Sequence, residues 1–203
     1  MNKFFGGLIL IVLMIVSLGS VANGSVSNFG TQNTPGTPTT SITNIQDMMA
    51  KYTAYNLWAN QQMADWLRDI PEELFDQEIE SSFSSLRKTL IHIWNAEYGW
   101  LRSVKNERWG NSPGKDFSGT GKALLDGLLE ASLAFKDHIA GMSAEQLSDG
   151  LDTSSWSASY AEMVHHCMNH STYHRGQLIT MGRQLGLESP PRTDFIYFIN
   201  LRQ

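Results

Sequence analysis

From residue 44 to the C-terminus, apolar side chains recur at intervals of three and four, and no convincing strand interrupts them. This spacing gathers them on one stripe of each helix, so the chain must bury helical stripes against one another. Met49, Tyr52, Asn56, Ala59, Met63 and Trp66 keep the rhythm until Ile70-Pro71, where proline disfavours a continuing helix. A second helix is predicted from about Phe83 to Ser103, ending in the polar run KNERWGNSPGKDFSGT. A third, from about Thr120 to Ile139, carries Leu124, Leu128, Ala131 and Phe135 on one face. The fourth runs from about Ser157 to Leu185, with Gly186 as its C-terminal cap and Pro190-Pro191 beyond. Together they predict an all-α, antiparallel four-helix bundle, with DFIYFINL as a short C-terminal helix packed across one end.

The region before the bundle has a different composition. Lys3 is the only charged residue before Asp47, and Phe4 to Val21 is apolar or small. Ser20-Val21-Ala22 follows as a small-x-small cleavage pattern, so residues 1–22 read as a signal peptide and the protein as exported, periplasmic or secreted. The alternative is an uncleaved membrane anchor, since these 18 residues sit at the lower limit for a span, which usually needs ~20. Cleavage would leave no stable membrane insertion. From Asn23 to Thr43, 18 of 21 residues are Asn, Gly, Ser, Thr, Gln or Pro, which reads as a disordered linker. The bundle domain is then residues 44–203.

Composition narrows the function. Fifteen Lys plus Arg against 20 Asp plus Glu give a net charge of −5, and no basic run is present to neutralise phosphates. A nucleic-acid partner is therefore not expected. A single cysteine, Cys167, excludes an internal disulfide and reads as a small buried hydrophobe.

Four of the six histidines lie between His165 and His174. At about 100° per residue, His166, His170 and His174 share one helix face, His165 points away, and Gln177 and the apolar Met163 and Met181 lie on the histidine face. Buried imidazoles need hydrogen bonds or a metal, and three close together repel when protonated. His170 and His174, at i and i+4, can present two rings to one ion, and a further ligand must come from another helix. His92 in the second helix is the candidate. Ser85, Ala96, Gly99 and Ser103 share its face and predict space around it, although close packing around a satisfied core histidine fits the same pattern. His138, near the end of the third helix, is explained by the helix dipole.

These residues carry a resemblance. The stretch MVHHCMNHSTYHRGQLITMGRQLGLESPPRTDFIYFI resembles the C-terminal signature of the DinB-like superfamily of metal-dependent enzymes. YNLWANQQMADWL is similar to that family's first helix and SLRKTLIHIWNAEYGWL to its second, in the same order. The family is the bundle family named for damage inducibility and is unrelated to the DNA polymerase of the same name. The resemblance implies a four-helix bundle with a three-histidine divalent metal site, commonly zinc or nickel, in proteins that often form homodimers. Position by position, the implied ligands are His92, His170 and His174. His166 matches a frequent family histidine outside the ligand set and is assigned either to support a ligand from behind or to the pocket wall.

Gln177 is expected to orient a ligand or to pack as a buried amide, and Asn56 and Asn60 to hydrogen-bond near the site. Arg175 points about 140° from the metal face and is expected to form an ion pair, with Asp194 or across a dimer contact. Glu97 is similarly turned from His92, so no carboxylate pairs obviously with the triad, and loop Asp116 is the residue that could change this. Three neutral imidazoles leave an ion its full charge and an open position, suited to activating water or holding a thiol as thiolate. The resemblance extends to thiol-dependent transferases and isomerases, but their thiol cofactors are cytoplasmic. For an exported protein, hydrolysis of a small-molecule substrate competes with S-transfer, and a non-catalytic metal-binding bundle is the alternative.

Overall fold

The computed structural model describes residues 44–201. The expected signal peptide and linker lie outside the described residues. Within them the chain forms α1 (Ile45–Leu67), α2 (Glu72–Asp76), α3 (Leu86–Val104), α4 (Gly121–Ala140), α5 (Ala144–Ser148), β1 (Gly150–Asp152), β2 (Ser157–Ser159), α6 (Tyr160–Gln184) and α7 (Phe195–Asn200). No helix among them is long and apolar enough to cross a membrane.

The four long helices are the four that the spacing predicts, and their ends have local causes. Asn44, Ser85, Thr120 and Ser159 each accept a backbone N–H of the first turn, starting α1, α3, α4 and α6 respectively. At α6, Glu162 returns a hydrogen bond to the Ser159 backbone, completing a capping box, and these bonds lower the Glu162 pKa. The same helix ends at Gly186, whose φ of 80° suits a residue without a Cβ. There Leu187 N–H donates to Gly182 O and Gly186 N–H to Arg183 O, the paired bonds of a Schellman cap.

Two apolar layers define the bundle's direction. One combines Met63, Ala64 and Leu67 from the end of α1 with Leu86, Leu90 and Ile93 from the start of α3. Leu124, Leu125 and Leu128 from the start of α4 join them, as do Leu178 and Met181 from the end of α6. The second layer contains Met49, Leu101, Val104, Phe135, Ile139, Met163, Val164, Cys167 and Met168 from the opposite ends. Thus α1 and α6 run one way and α3 and α4 the other. The bundle is up-down-down-up, correcting the uniformly antiparallel expectation.

The physical reason is the linker after α3, which returns along that helix before α4 begins. Trp109 Nε1–H donates to Ser103 Oγ, Gly114 N–H to Asn95 Oδ1, and Arg87 donates to Gly119 O. This path also fills the space expected around the small residues of α3. A Cβ on Gly99 would come within 2.9 Å of the Trp109 ring, and one on Gly114 within 2.6 Å of Ile91.

Three further corrections concern short elements. Residues 157–159, expected to open the fourth helix, instead pair with Gly150–Asp152 in a small antiparallel ladder. The helices α2 and α5 were not expected, being too short for a hydrophobic period to reveal. Finally, α7 packs along the side of α1, with Phe198 against Tyr55 and Trp58, and does not cap an end of the bundle.

Candidate metal centre

The antiparallel pair α3 and α6 brings His92 opposite His170 and His174. Their nearest nitrogens, all Nε2, lie 3.0 Å apart for His92 and His170 and 3.2 Å for His174 and His170. One potential ligand atom from each of the three lies within 4.8 Å of the others. Around a tetrahedral ion with Zn–N bonds of about 2.05 Å, ligand nitrogens stand about 3.3 Å apart, so two of the three pairs already approach that separation.

Hydrogen-bond chemistry tests the fit. Gln177 Oε1, an acceptor, lies 2.7 Å from His174 Nδ1, so Nδ1 carries the proton and Nε2 presents its lone pair to the cluster. The amide is held in that sense because Gln177 Nε2 donates to Ser82 Oγ at 2.9 Å and Tyr173 OH at 3.2 Å. His170 Nε2 then faces two ring nitrogens, and a single proton cannot satisfy both contacts. One cation receiving three lone pairs would, so this donor set fits a divalent metal. His170 Nδ1 is buried without a hydrogen-bond partner, a cost of the arrangement.

The surroundings hold two of the rings neutral. Burial, followed by the neighbouring His174, His92 and His166, lowers the His170 pKa to about 4. Burial and His174 also lower that of His92, whose ring stacks on Phe83 at 4.3 Å. In the metal-free protein, unfolded His170 takes up a proton below about pH 6.5, whereas the folded ring does so only near the lower value. The unfolded state therefore binds more protons between these limits, and stability must fall as pH falls through that window. Urea midpoints at pH 7 and pH 5 should drop further for the metal-free wild type than for His170→Gln. Equal drops would show that His170 is not the source.

The remaining expected site residues separate into two groups. His166 is exposed, with its ring 6.1 Å from His170 and 4.7 Å from Trp100, so it stands beside the triad. Asn56 and Asn60 turn away from the histidines. Their Nδ2 atoms donate to Glu97 Oε1 at 2.7 and 2.9 Å, while their Oδ1 atoms accept from Arg175 Nη1 at 2.6 and 2.9 Å. Arg175 is thus buried in a network reaching Glu97 through two amides, and not in the expected ion pair with Asp194. Asp116 is exposed in the linker, and His165 is exposed as expected. His138 is half-buried in the last turn of α4, and burial with nearby Lys105 lowers its pKa.

The buried role of Glu97 is what sequence reasoning missed. It is 0% exposed and also accepts from Ser132 Oγ at 2.6 Å and Ser171 Oγ at 2.9 Å. Ser171 adjoins His170, so this network underlies the segment of α6 that carries the triad. A usable signal was present: Glu97 and Arg175, of opposite charge, both sit about 140° from the histidine faces of their helices. An open cavity of about 710 Å³ lies elsewhere, between α1, α6 and the segment before α7, lined by Tyr52, Tyr55, His165 and Phe195 and by none of the triad.

The sequence matches the DinB family over residues 40–201. The chain belongs to the DinB family. It is 32% identical over 170 residues to Protein DinB of Bacillus subtilis (strain 168), covering 74% of this chain and 93% of that protein. It is also 25% identical over 155 residues to the uncharacterized protein YizA of the same organism, covering 73% and 94% respectively. The crystal structure of a DinB-like protein from Bacillus cereus ATCC 10987 superimposes with a TM-score of 0.59 at 21% identity, over 71% of this chain and 94% of that one. The last comparison bears on the fold alone. Family membership and the three-histidine cluster together fit a metal-binding DinB-like protein.

Proposed function

We propose that this DinB-family protein is an exported metal-dependent enzyme in which His92, His170 and His174 hold one divalent ion, zinc or nickel. The observation that carries the reading is the convergence of three Nε2 atoms with the His174 lone pair oriented by Gln177. An ion held by three neutral imidazoles supplies Lewis acidity at an open coordination position, as hydrolysis or thiol S-transfer of a small-molecule substrate requires. The chain's own residues present the lone pairs, keep His170 and His92 uncharged through burial and, through Phe83, shield one side of His92. Glu97 is committed to four donors inside the bundle, so it is not a free base for this site. Among the described residues, the metal-ligating group that includes the triad contains no fourth member, which supports an open position over a closed, non-catalytic metal-binding bundle. Export rests on the leader pattern, and a homodimer on the habit of the family.

The test is metal content per chain of the mature protein, purified without a metal column, beside a His174→Ala variant. About one ion per chain, lost in the variant, is expected. Near-zero metal in both folded proteins would overturn the reading.

A further inference from the structure

Two tryptophans from separate segments meet Trp100, which His166 links to the histidine triad. Trp100 lies on α3, Trp109 in the linker that follows it, and Trp156 in the turn between β1 and β2. The Trp100 ring centroid is 5.8 Å from that of Trp109 and 6.1 Å from that of Trp156. His166 joins this group to the metal centre, standing between Trp100 and His170.

The patch is fixed in place yet open. Trp109 rests against Gly99, and its indole N–H is held by Ser103 at 2.6 Å, but 48% of the residue is exposed, as is 42% of Trp156. Covering the small residues of α3 explains one face of Trp109. It does not explain why a second indole arrives from the hairpin against the same Trp100. Isolated exposed apolar residues need no account, whereas a contiguous aromatic patch beside a polar, metal-competent group is how ligand sites are built.

We propose that Trp100, Trp109, Trp156 and His166 form a subsite that stacks a planar aromatic group of a ligand whose donor atom reaches the ion at His92, His170 and His174. This deepens the metalloenzyme reading and rests on it. Aromatic faces also attract cations, but a doubly charged ion alongside disfavours a cationic ligand. The substrate class is therefore a neutral or anionic aryl compound carrying a metal-binding oxygen, nitrogen or sulfur.

Two hydroxamates separate the two parts of the proposal. Both 2-naphthohydroxamate and acetohydroxamate can bind a metal, but only the first carries a ring system to stack. Zinc content is measured first on the whole mature protein, and each probe is then titrated calorimetrically. The naphthyl probe is expected to bind about tenfold or more tightly than the acetyl probe, in line with the worth of one stacked base on an aromatic side chain. Trp109→Ala and Trp156→Ala should each reduce that preference to below about threefold, leaving zinc content and acetohydroxamate affinity unchanged. Trp156 sits in an exposed turn, so its variant keeps the test independent of any effect of Trp109 on the linker. Equal affinities for the two probes, or a preference surviving both substitutions, would overturn the subsite while leaving the metal site intact. Zinc bound with neither probe binding overturns it too. A folded protein that takes up no zinc overturns the metal reading, and the subsite falls with it.

Discussion

Replacing Arg175 by Ala is expected to destabilise the bundle by about 3–5 kcal/mol, the usual consequence of removing one member of a buried charged pair. Arg175 is 1% exposed and donates to Asn56, Asn60 and Thr172, with its guanidinium 5.6 Å from the centre of the Tyr55 ring. Its loss leaves two asparagine oxygens unpaired and Glu97 without an opposing charge. The pair is indirect: each asparagine gives its N–H to the carboxylate and its oxygen to the guanidinium, so the amides relay the interaction. Chemical denaturation of wild type and Arg175→Ala measures the effect. A loss below about 1 kcal/mol would show that the network does not carry the stability assigned to it. The coupling is checked with Glu97→Gln. The double variant should be less destabilised than the sum of the single variants, because removing both charges leaves neither stranded.

Zinc is expected to raise the stability of the folded protein sharply. An ion that binds only the native state contributes about 4 kcal/mol when its free concentration is a thousand times its Kd. For a bundle of this size each kcal/mol corresponds to a shift of roughly 2–4 °C in Tm, so a rise of roughly 8–16 °C should appear in a thermal melt and vanish with chelator. His170→Ala should abolish the rise, since its Nε2 lies between those of the other two rings. Gln177→Ala should retain it in weakened form, with metal affinity lowered about 10- to 100-fold, because it orients His174 without itself being a ligand. A Tm unmoved by zinc in the wild type would contradict the site. An equal shift in His170→Ala would move binding to other residues.

Much of the fold was legible in the sequence for one reason. The period of the apolar positions is a local property, and each long helix has enough turns to display it. The start of α6 is set by a local cap, Ser159 with Glu162 three residues on, which the apolar period alone does not show, so that period opened the helix early, at about Ser157. Five-residue α2 and α5 complete too few turns to show a period, and the pairing of β1 with β2 depends on residues brought together by the chain's return. The candidate site divides the same way. That His170 and His174 share a face follows from helix geometry, whereas the partnership with His92 required a family resemblance to choose between two readings of one histidine.

The sequence by itself determined four amphipathic helices, a histidine stripe along one face of the last of them, and a Gly-terminated end to that helix. These follow from rotation per residue and short-range hydrogen bonding. Only the tertiary structure decided that α3 and α4 run parallel, because helix direction depends on the route of the linker back along α3. It alone revealed that Asn56 and Asn60 serve Glu97 and Arg175, because the partners of a polar side chain in a core are set by which helices face each other. The same long-range packing brought Trp109 and Trp156 to Trp100, a placement that no periodicity along the chain encodes.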